Sequence, residues 1–399
     1  MNEKDPSMIS SFNPPVRKLM GPGPSDVHPR VLGAMARPTI GHLDPEFSHM
    51  MEEIKDLLRY AFKTTNSLTI PVSGPGSVGM ETCFVNLIEP GDKVIVCQNG
   101  AFGGRMRENV ERCGATAVMI LDEWGKPVDI NKVEDTLRKT SDVKALAFVH
   151  AETSTGVQSD AAGLCRLANE YGVLSIVDAV TSLGGTPVLT DEWKADAVYS
   201  GSQKCLSCMP GISPVTISQR AADVVRSRNH KVQSWFMDLN LVMGYWSGEG
   251  SRVYHHTAPI NPLYAIHEAL VMLSEEGIEQ AWDRHAKMHD ALREGLEAMG
   301  LSLIVEEKYR LPQLNTVSVP EGVDEAKVRA TLLSRYNLEI GAGLGDLAGK
   351  VWRVGLMGQS ATGEHVTLFL SAMEDALLQQ GAVGVKAGVA LPAARTVIE

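Results

Sequence analysis

The residues able to do chemistry stand out before any element is assigned. Ala197-Val198-Tyr199, a short apolar run, leads straight into Ser200-Gly201-Ser202-Gln203-Lys204. Most lysines are solvated surface charges. An amine that ends a buried strand among small polar residues is instead placed to attack a carbonyl and form a Schiff base. Upstream, Leu174-Ser175-Ile176-Val177-Asp178-Ala179-Val180 is an apolar run interrupted by one carboxylate. Burying that charge costs on the order of several kcal/mol unless it is paired. A protonated ring nitrogen is one possible partner; the plainer alternative is a strand-end Asp capping the next turn. Further upstream, Ser73-Gly74-Pro75-Gly76-Ser77 opens a segment with Met80, Phe84 and Leu87 at helical spacing. Free backbone N–H groups and the positive end of a helix dipole make such a turn a phosphate cradle. Cradle, ring partner and Schiff-base lysine, in that order, describe a site for pyridoxal 5'-phosphate (PLP), whose ring is kept an electron sink by the carboxylate.

These groups need a scaffold. Val94-Ile95-Val96-Cys97, Ala145 to Val149, and the runs ending at Asp178 and Ser200 are strand-like, and helix-period segments lie between them. One helix is expected over Ala161 to Tyr171 with Asp160 as N-cap. The alternation predicts an α/β fold, a mostly parallel sheet with helices on both faces. Ligands in such sheets sit beyond the carboxyl ends of the strands, where His150, Asp178 and Ser200 fall. Ile278, Ala281, Trp282, His285, Met288 and Leu292 mark one face of an amphipathic helix, with His285 a packed residue rather than a ligand. Beyond Gly300 a smaller α/β unit is expected: strand at Asn315 to Val319, helix at Ala326 to Tyr336, strand at Lys350 to Val354. The division is an arm over 1–18, a large cofactor-binding domain over 19–275, a small C-terminal domain over 276–380, and a tail over 381–399 that shows no clear periodicity and is expected to be loosely ordered.

The 399 residues are 44% hydrophobic and 21% charged, with net charge -11, a balance that disfavours nucleic acid or an anionic membrane as partner. There is no apolar run of about 18 residues to span a membrane, no apolar leader and no peroxisomal tripeptide, so a cytoplasmic enzyme is expected. Of the six cysteines, four sit in apolar segments as core thiols. Cys205 and Cys208 form a C-x-x-C beside Lys204, but no second pair completes a zinc site, and packing beneath the cofactor is the simpler role. In Tyr254-His255-His256-Thr257 adjacent histidines point apart, so no metal is expected.

The chain also resembles a known family, the class V, fold-type I PLP aminotransferases, and within it the alanine–glyoxylate and serine–glyoxylate group. The resemblance runs from about Leu19 to about residue 375. Its motifs are Gly21-Pro22-Gly23-Pro24-Ser25, Ser73-Gly74-Pro75-Gly76, Asn99-Gly100, Glu152-Thr153-Ser154-Thr155-Gly156, Val177-Asp178-Ala179, Ser200 to Lys204, Tyr254 to Thr257, and Arg353-Val354-Gly355. It implies that Lys204 holds PLP and shuttles the proton, that Asp178 pairs with the ring nitrogen, and that Thr153 bonds near the phenolic oxygen. Gly76, Ser77 and Gln203 would bind the phosphate, and Phe102 would stack on the ring where close animal relatives carry tryptophan. Pro75 replaces a common Ser and removes one N–H donor; Ser77 stands where His is common. Gly23 and Arg353 would bind substrate, the guanidinium gripping the α-carboxylate bidentately. Tyr254 and Thr257 would reach the phosphate of a neighbouring subunit, which implies a homodimer with shared sites.

The expected reaction is a ping-pong transamination from a small amino acid, L-alanine favoured or L-serine, to glyoxylate, giving glycine and a 2-oxo acid. Other donors in the same fold (ureidoglycine, aspartate, pyridoxamine or a kynurenine derivative) stay open. Gly41-His42-Leu43-Asp44-Pro45-Glu46-Phe47 looks like the bacterial serine pattern, while the middle of the chain looks like the animal alanine pattern. A PLP lyase of cysteine-desulfurase type is the alternative from another class; it needs a mobile loop thiol. A non-catalytic PLP-binding protein would be expected to lack Asp178 or Arg353.

Overall fold

The structure, a computed structural model, describes residues 10–246 and 252–399. A seven-stranded sheet forms its centre. In chain order the strands are β1 (Leu68–Ser73), β2 (Lys93–Gln98), β3 (Thr116–Leu121), β4 (Val143–Val149), β5 (Leu174–Asp178), β6 (Ala197–Tyr199) and β7 (Ile212–Ile217). Across the sheet they lie in the order β1-β7-β6-β5-β4-β2-β3. Only β7 runs antiparallel to its neighbours, β1 and β6; all other pairs are parallel. Every residue of β5, β6 and β7 is buried, as strands covered on both faces must be, hence their continuous apolar character.

Three helices matter for the site. Helix α1 (Gly76–Leu87) follows β1 and α2 (Ala101–Arg112) follows β2. Helix α3 (Ala161–Glu170) starts at Asp160, whose carboxylate accepts from Gly163 N at 2.9 Å, the N-cap arrangement expected of Asp before an apolar-periodic run. Helix α1 lies directly on the sheet: a Cβ at Gly79 would collide with Ser213 Oγ and stand 3.3 Å from Tyr199 Cβ.

Two hydrophobic cores follow one another along the chain. The first runs from Val31 to Ala281. The second joins Met20 to residues from Met288 through Ala394. Helices α4 (Ile260–Glu276) and α5 (Ile278–Met299) meet at Gly277, and α5 passes from the first core into the second. The second core is covered by a three-stranded antiparallel sheet of β8 (Leu314–Ser318), β9 (Gly341–Ala342) and β10 (Val351–Gly355), in the order β8-β10-β9. Helices α6 (Glu325–Tyr336) and α7 (Gly363–Gln379) pack on it.

Two expectations change. Lys18–Leu19 pairs in parallel with Leu338–Glu339, and Met20 is buried in the second core, so this stretch packs on the smaller unit. The tail is not loosely ordered. Ala390–Ile398 forms helix α8, with Ala390 and Ala394 buried. Small residues four apart give a narrow face that approaches α5 closely at Gly295, 3.2 Å from a would-be Cβ to Ala390 O. Alanines give too weak an apolar stripe to be read as periodicity.

Candidate active site

Lys204 lies in the connection between β6 and β7, the two strands of an antiparallel pair. Ser202 N donates to Ile212 O at 3.0 Å and Cys208 N to Ser202 O at 3.0 Å, which fixes the loop at its base. The amine is buried and its Nζ donates to Pro22 O. Next to it, Gly23 has φ 105, and a Cβ there would stand 2.6 Å from Lys204 Nζ. A side chain is excluded twice over, by the left-handed backbone and by the approach of the amine. Ser25 completes the contact, its N–H on Gln203 O at 2.9 Å and its Oγ on Lys204 O at 2.7 Å. Burial, with a contribution from the Arg353 charge, pushes the amine down to about 8.

Asp178 ends β5 and is buried. Its Oδ1 accepts from Val180 N at 2.9 Å and its Oδ2 from Tyr199 OH at 2.8 Å. Both the capping alternative and a pairing role therefore have a physical basis here. Burial raises the carboxyl to about 7, against the pull of these hydrogen bonds. In the sequence Tyr199 reads only as an apolar strand residue. It is in register with Asp178 across the parallel β5–β6 pair, so the two side chains share a face and the phenol reaches the carboxylate. The signal was present, a tyrosine rather than an aliphatic residue ending the strand before the lysine, but the partner distance depends on register.

Arg353 sits on β10, in the second core's sheet, and is buried. Its Nε donates to Ala342 O at 2.7 Å and its Nη1 to Thr153 O at 3.1 Å. Burial pushes the guanidinium down to about 10. Thr153 is thus tied to Arg353 through its carbonyl and to Thr181 through its hydroxyl, Oγ1 to Oγ1 at 2.6 Å. Nothing in the sequence around Thr181 marks it as a partner of Thr153. Phe102 is half-buried at the start of α2, with the Arg105 guanidinium 4.7 Å from its ring centroid. Gly76 is buried at the start of α1 and Ser77 is exposed beside it.

Other predicted residues lie elsewhere. His150 follows β4 but turns to Trp193, ring to ring at 5.0 Å, and to Gln158 Nε2 at 3.2 Å; burial holds it down to about 4. His285 is buried in α5, its Nε2 accepting from Gly358 N at 2.9 Å. Tyr254 is 59% exposed, 5.4 Å ring to ring from His42, and Thr257 is exposed too. Neither shares a hydrogen bond with Lys204, Asp178 or Arg353. His255 stacks on Trp235 at 4.3 Å; against expectation it does not point away from His256, since their Nδ1 atoms stand 2.8 Å apart. Cys205 and Cys208 are buried, and burial pushes each thiol up to about 12.

A buried amine, a buried acid and a buried guanidinium at the carboxyl ends of a mostly parallel sheet, with a second smaller unit carrying the guanidinium, define a fold-type I PLP-dependent transferase. The family described as Aminotransferase class-V matches residues 26–353, and the chain belongs to it. The (S)-ureidoglycine--glyoxylate transaminase of Bacillus subtilis (strain 168) is 38% identical over 405 residues, covering 96% of this chain and 96% of that one. The alanine--glyoxylate aminotransferase of Rattus norvegicus is 40% identical over 365 residues, 91% and 88% of the two chains. Among solved structures, alanine--glyoxylate aminotransferase from Nostoc sp. superposes with a TM-score of 0.91 at 46% identity, over 94% of this chain and 100% of that one.

The protein is accordingly an aminotransferase and its cofactor is PLP. The chain's own atoms fit that group. The first turn of α1 has no side-chain cap, which leaves its N–H groups for an anion, and the space around Lys204 Nζ is kept clear by Gly23.

Proposed function

We propose that the protein moves an amino group from a small amino acid, L-alanine favoured or L-serine, to glyoxylate, releasing glycine and a 2-oxo acid in two half-reactions. The observation that carries this reading is the placement of Arg353. It is a buried guanidinium whose charge acts on Lys204 and which is anchored on Thr153 O, set to hold a carboxylate beside the amine. The named relatives share glyoxylate as the common term, and glyoxylate offers only a carboxylate and a carbonyl to recognise.

Bound PLP supplies the electron sink that makes an α-proton acidic and carries the amino group between substrates. The chain supplies the rest. Asp178, held by Tyr199 and Val180 and raised by burial, would be held in its charged form by pairing with a protonated ring nitrogen. Gly76, Ser77 and Gln203 would hold the phosphate, Thr153 would lie at the phenolic oxygen, and Phe102 would cover one ring face. Arg353, with Gly23 giving clearance, fixes the carboxylate so that the α-hydrogen faces Lys204 Nζ. Lys204 accepts that proton and returns it to the adjacent carbon as general base and acid, a task that needs a neutral amine. Tyr254 and Thr257, both exposed, are assigned to the phosphate of a second copy in a cytoplasmic homodimer. The large unit holds the cofactor, and the small unit, joined by Leu19, Met20 and helix α8, brings Arg353.

(S)-Ureidoglycine as donor is the second reading, favoured by a relative that matches this chain nearly end to end. The lyase reading loses support, because all six cysteines are buried and Cys205 is held as an un-ionised thiol, the wrong state for accepting sulfur. The test is the visible spectrum of the holoenzyme with alanine, serine, aspartate, pyridoxamine or ureidoglycine added singly, then glyoxylate. The expected result is loss of the cofactor band with alanine or serine and its return with glyoxylate. Loss only with ureidoglycine would install the second reading, and persulfide formed from cysteine would install the lyase.

A further inference from the structure

Helix α2 carries Phe102 in its first turn, yet its N-cap residue is Gly100, which brings no side chain to cap it. The first N–H groups are nevertheless satisfied, from another element. Ala101 N donates to Ser154 Oγ at 3.0 Å and Phe102 N donates to Glu152 Oε2 at 3.2 Å. Ser154 passes the connection on: its N–H and its hydroxyl donate to Glu152 Oε1 at 3.0 and 2.6 Å. Glu152 and Ser154 are wholly buried. A Cβ at Gly100 would collide with the Glu152 carboxyl and with Ser154 Oγ, so glycine at that position is what admits the carboxylate to the helix end.

The chemistry of the cluster is specific to a carboxylate. Three donors converge on the two Glu152 oxygens: Phe102 N–H, Ser154 N–H and Ser154 O–H. A carboxylate only accepts, and a glutamine would turn an NH2 toward one of them. Burial raises the Glu152 carboxyl; the Ser154 and Phe102 hydrogen bonds work against that shift, and so does the positive end of the α2 dipole that the carboxyl faces. Arg353 is near enough to be felt, but its own hydrogen bonds go to Thr153 O and Ala342 O, so Glu152 does not occupy the substrate's place on the guanidinium.

We propose that Glu152 is a positioning residue for the cofactor ring: with Ser154 it caps helix α2 from the 151–158 segment and so sets where the Phe102 ring stands. The inference rests on the reading, made above, that Phe102 stacks on the cofactor. Glu152 acts through Phe102: its hydrogen bonds go to Phe102 and Ser154, and it touches Asp178 only through its charge.

A double-substitution cycle tests this on apoenzyme titrated with PLP, read by quenching of protein fluorescence and by the visible circular dichroism of each bound cofactor. Phe102→Leu and Glu152→Gln are each expected to weaken PLP binding roughly fivefold to tenfold, the worth of one aromatic contact, and to diminish the dichroic band. Combined, they are expected to add less than about twofold to the larger single effect, because both remove the same contact. A double variant whose loss is the product of the two single losses would overturn the inference and leave the stacking role of Phe102 standing. Glu152→Gln that lowers the melting temperature but leaves affinity and dichroism unchanged would overturn it as well. Phe102→Leu without effect would instead remove the stacking reading, and the inference with it. If Glu152→Gln yields no folded protein, Ser154→Ala, which deletes the acceptor for Ala101 N, enters the same cycle with the same criteria.

Discussion

A lysine amine that titrates near 8 behaves differently from one at its ordinary value of about 10.4. Attack on the PLP aldehyde needs the neutral form, so capture of PLP by the apoenzyme should speed up with pH and level off above about 8. Stopped-flow mixing across pH 6–10 checks this; a rate still climbing at pH 10 would contradict it. The same shift has a stability sign. Between the two values the unfolded chain binds a proton that the folded chain does not, so through this group apoenzyme stability rises with pH in that window. The identities of Lys204, Asp178 and Arg353 were legible because each is a charged residue where the surrounding pattern is apolar or small. Tyr199, Thr181 and Glu152 were not given roles. Their significance lies in a partner some 20 to 50 positions away in sequence, |i−j| 21, 28 and 50, and that distance is closed only by strand register and loop path.

At the scale of elements, the site depends on how closely α1 can approach the sheet. Alanine at Gly79 would gain about 1 kcal/mol of helix propensity. Against that, its methyl group would strike Ser213 Oγ, which is held by a 2.6 Å hydrogen bond to Ser200 O. Overpacking at such a contact costs about 1–3 kcal/mol, so the clash outweighs the propensity. Gly79→Ala is expected to lower the melting temperature and to weaken PLP binding as the cradle at Gly76 is lifted. Calorimetry with and without PLP checks both; a raised melting temperature would show that the contact yields. Strands and helices of the first unit were readable from sequence, since strands buried on both faces are continuous apolar runs and Asp160 announces its helix. The lone antiparallel strand β7 was not, because direction leaves no mark on composition. Helix α8 was missed because alanines carry little apolar contrast.

For the whole molecule, the chemistry is divided between two cores. Lys204 and Asp178 belong with the first, and Arg353 with the second, whose last layer is α8. Deleting residues 389–399 uncovers α5 at Gly295 and the face of α7 that packs on α8. The expected outcome is a protein that still forms the visible cofactor band but whose kcat/KM for alanine falls roughly tenfold or more, as the carboxylate grip loosens. Steady-state kinetics beside an absorption spectrum separates the two effects, and loss of the band together with activity would show that the cores are not separable in this way.

The loop that carries Lys204 is closed by two strands adjacent in both sequence and space, β6 and β7, whereas Arg353 meets Thr153 across 200 positions of chain. Short-range closures form early and long-range ones late. The local closure alone does not make a nucleophile, since the amine is buried only when Pro22 arrives from 182 positions away; reactivity and the choice of an acid guest are therefore finished by contacts of the same long range, and a molecule that loses its N-terminal stretch loses the first as surely as one that loses Arg353 loses the second.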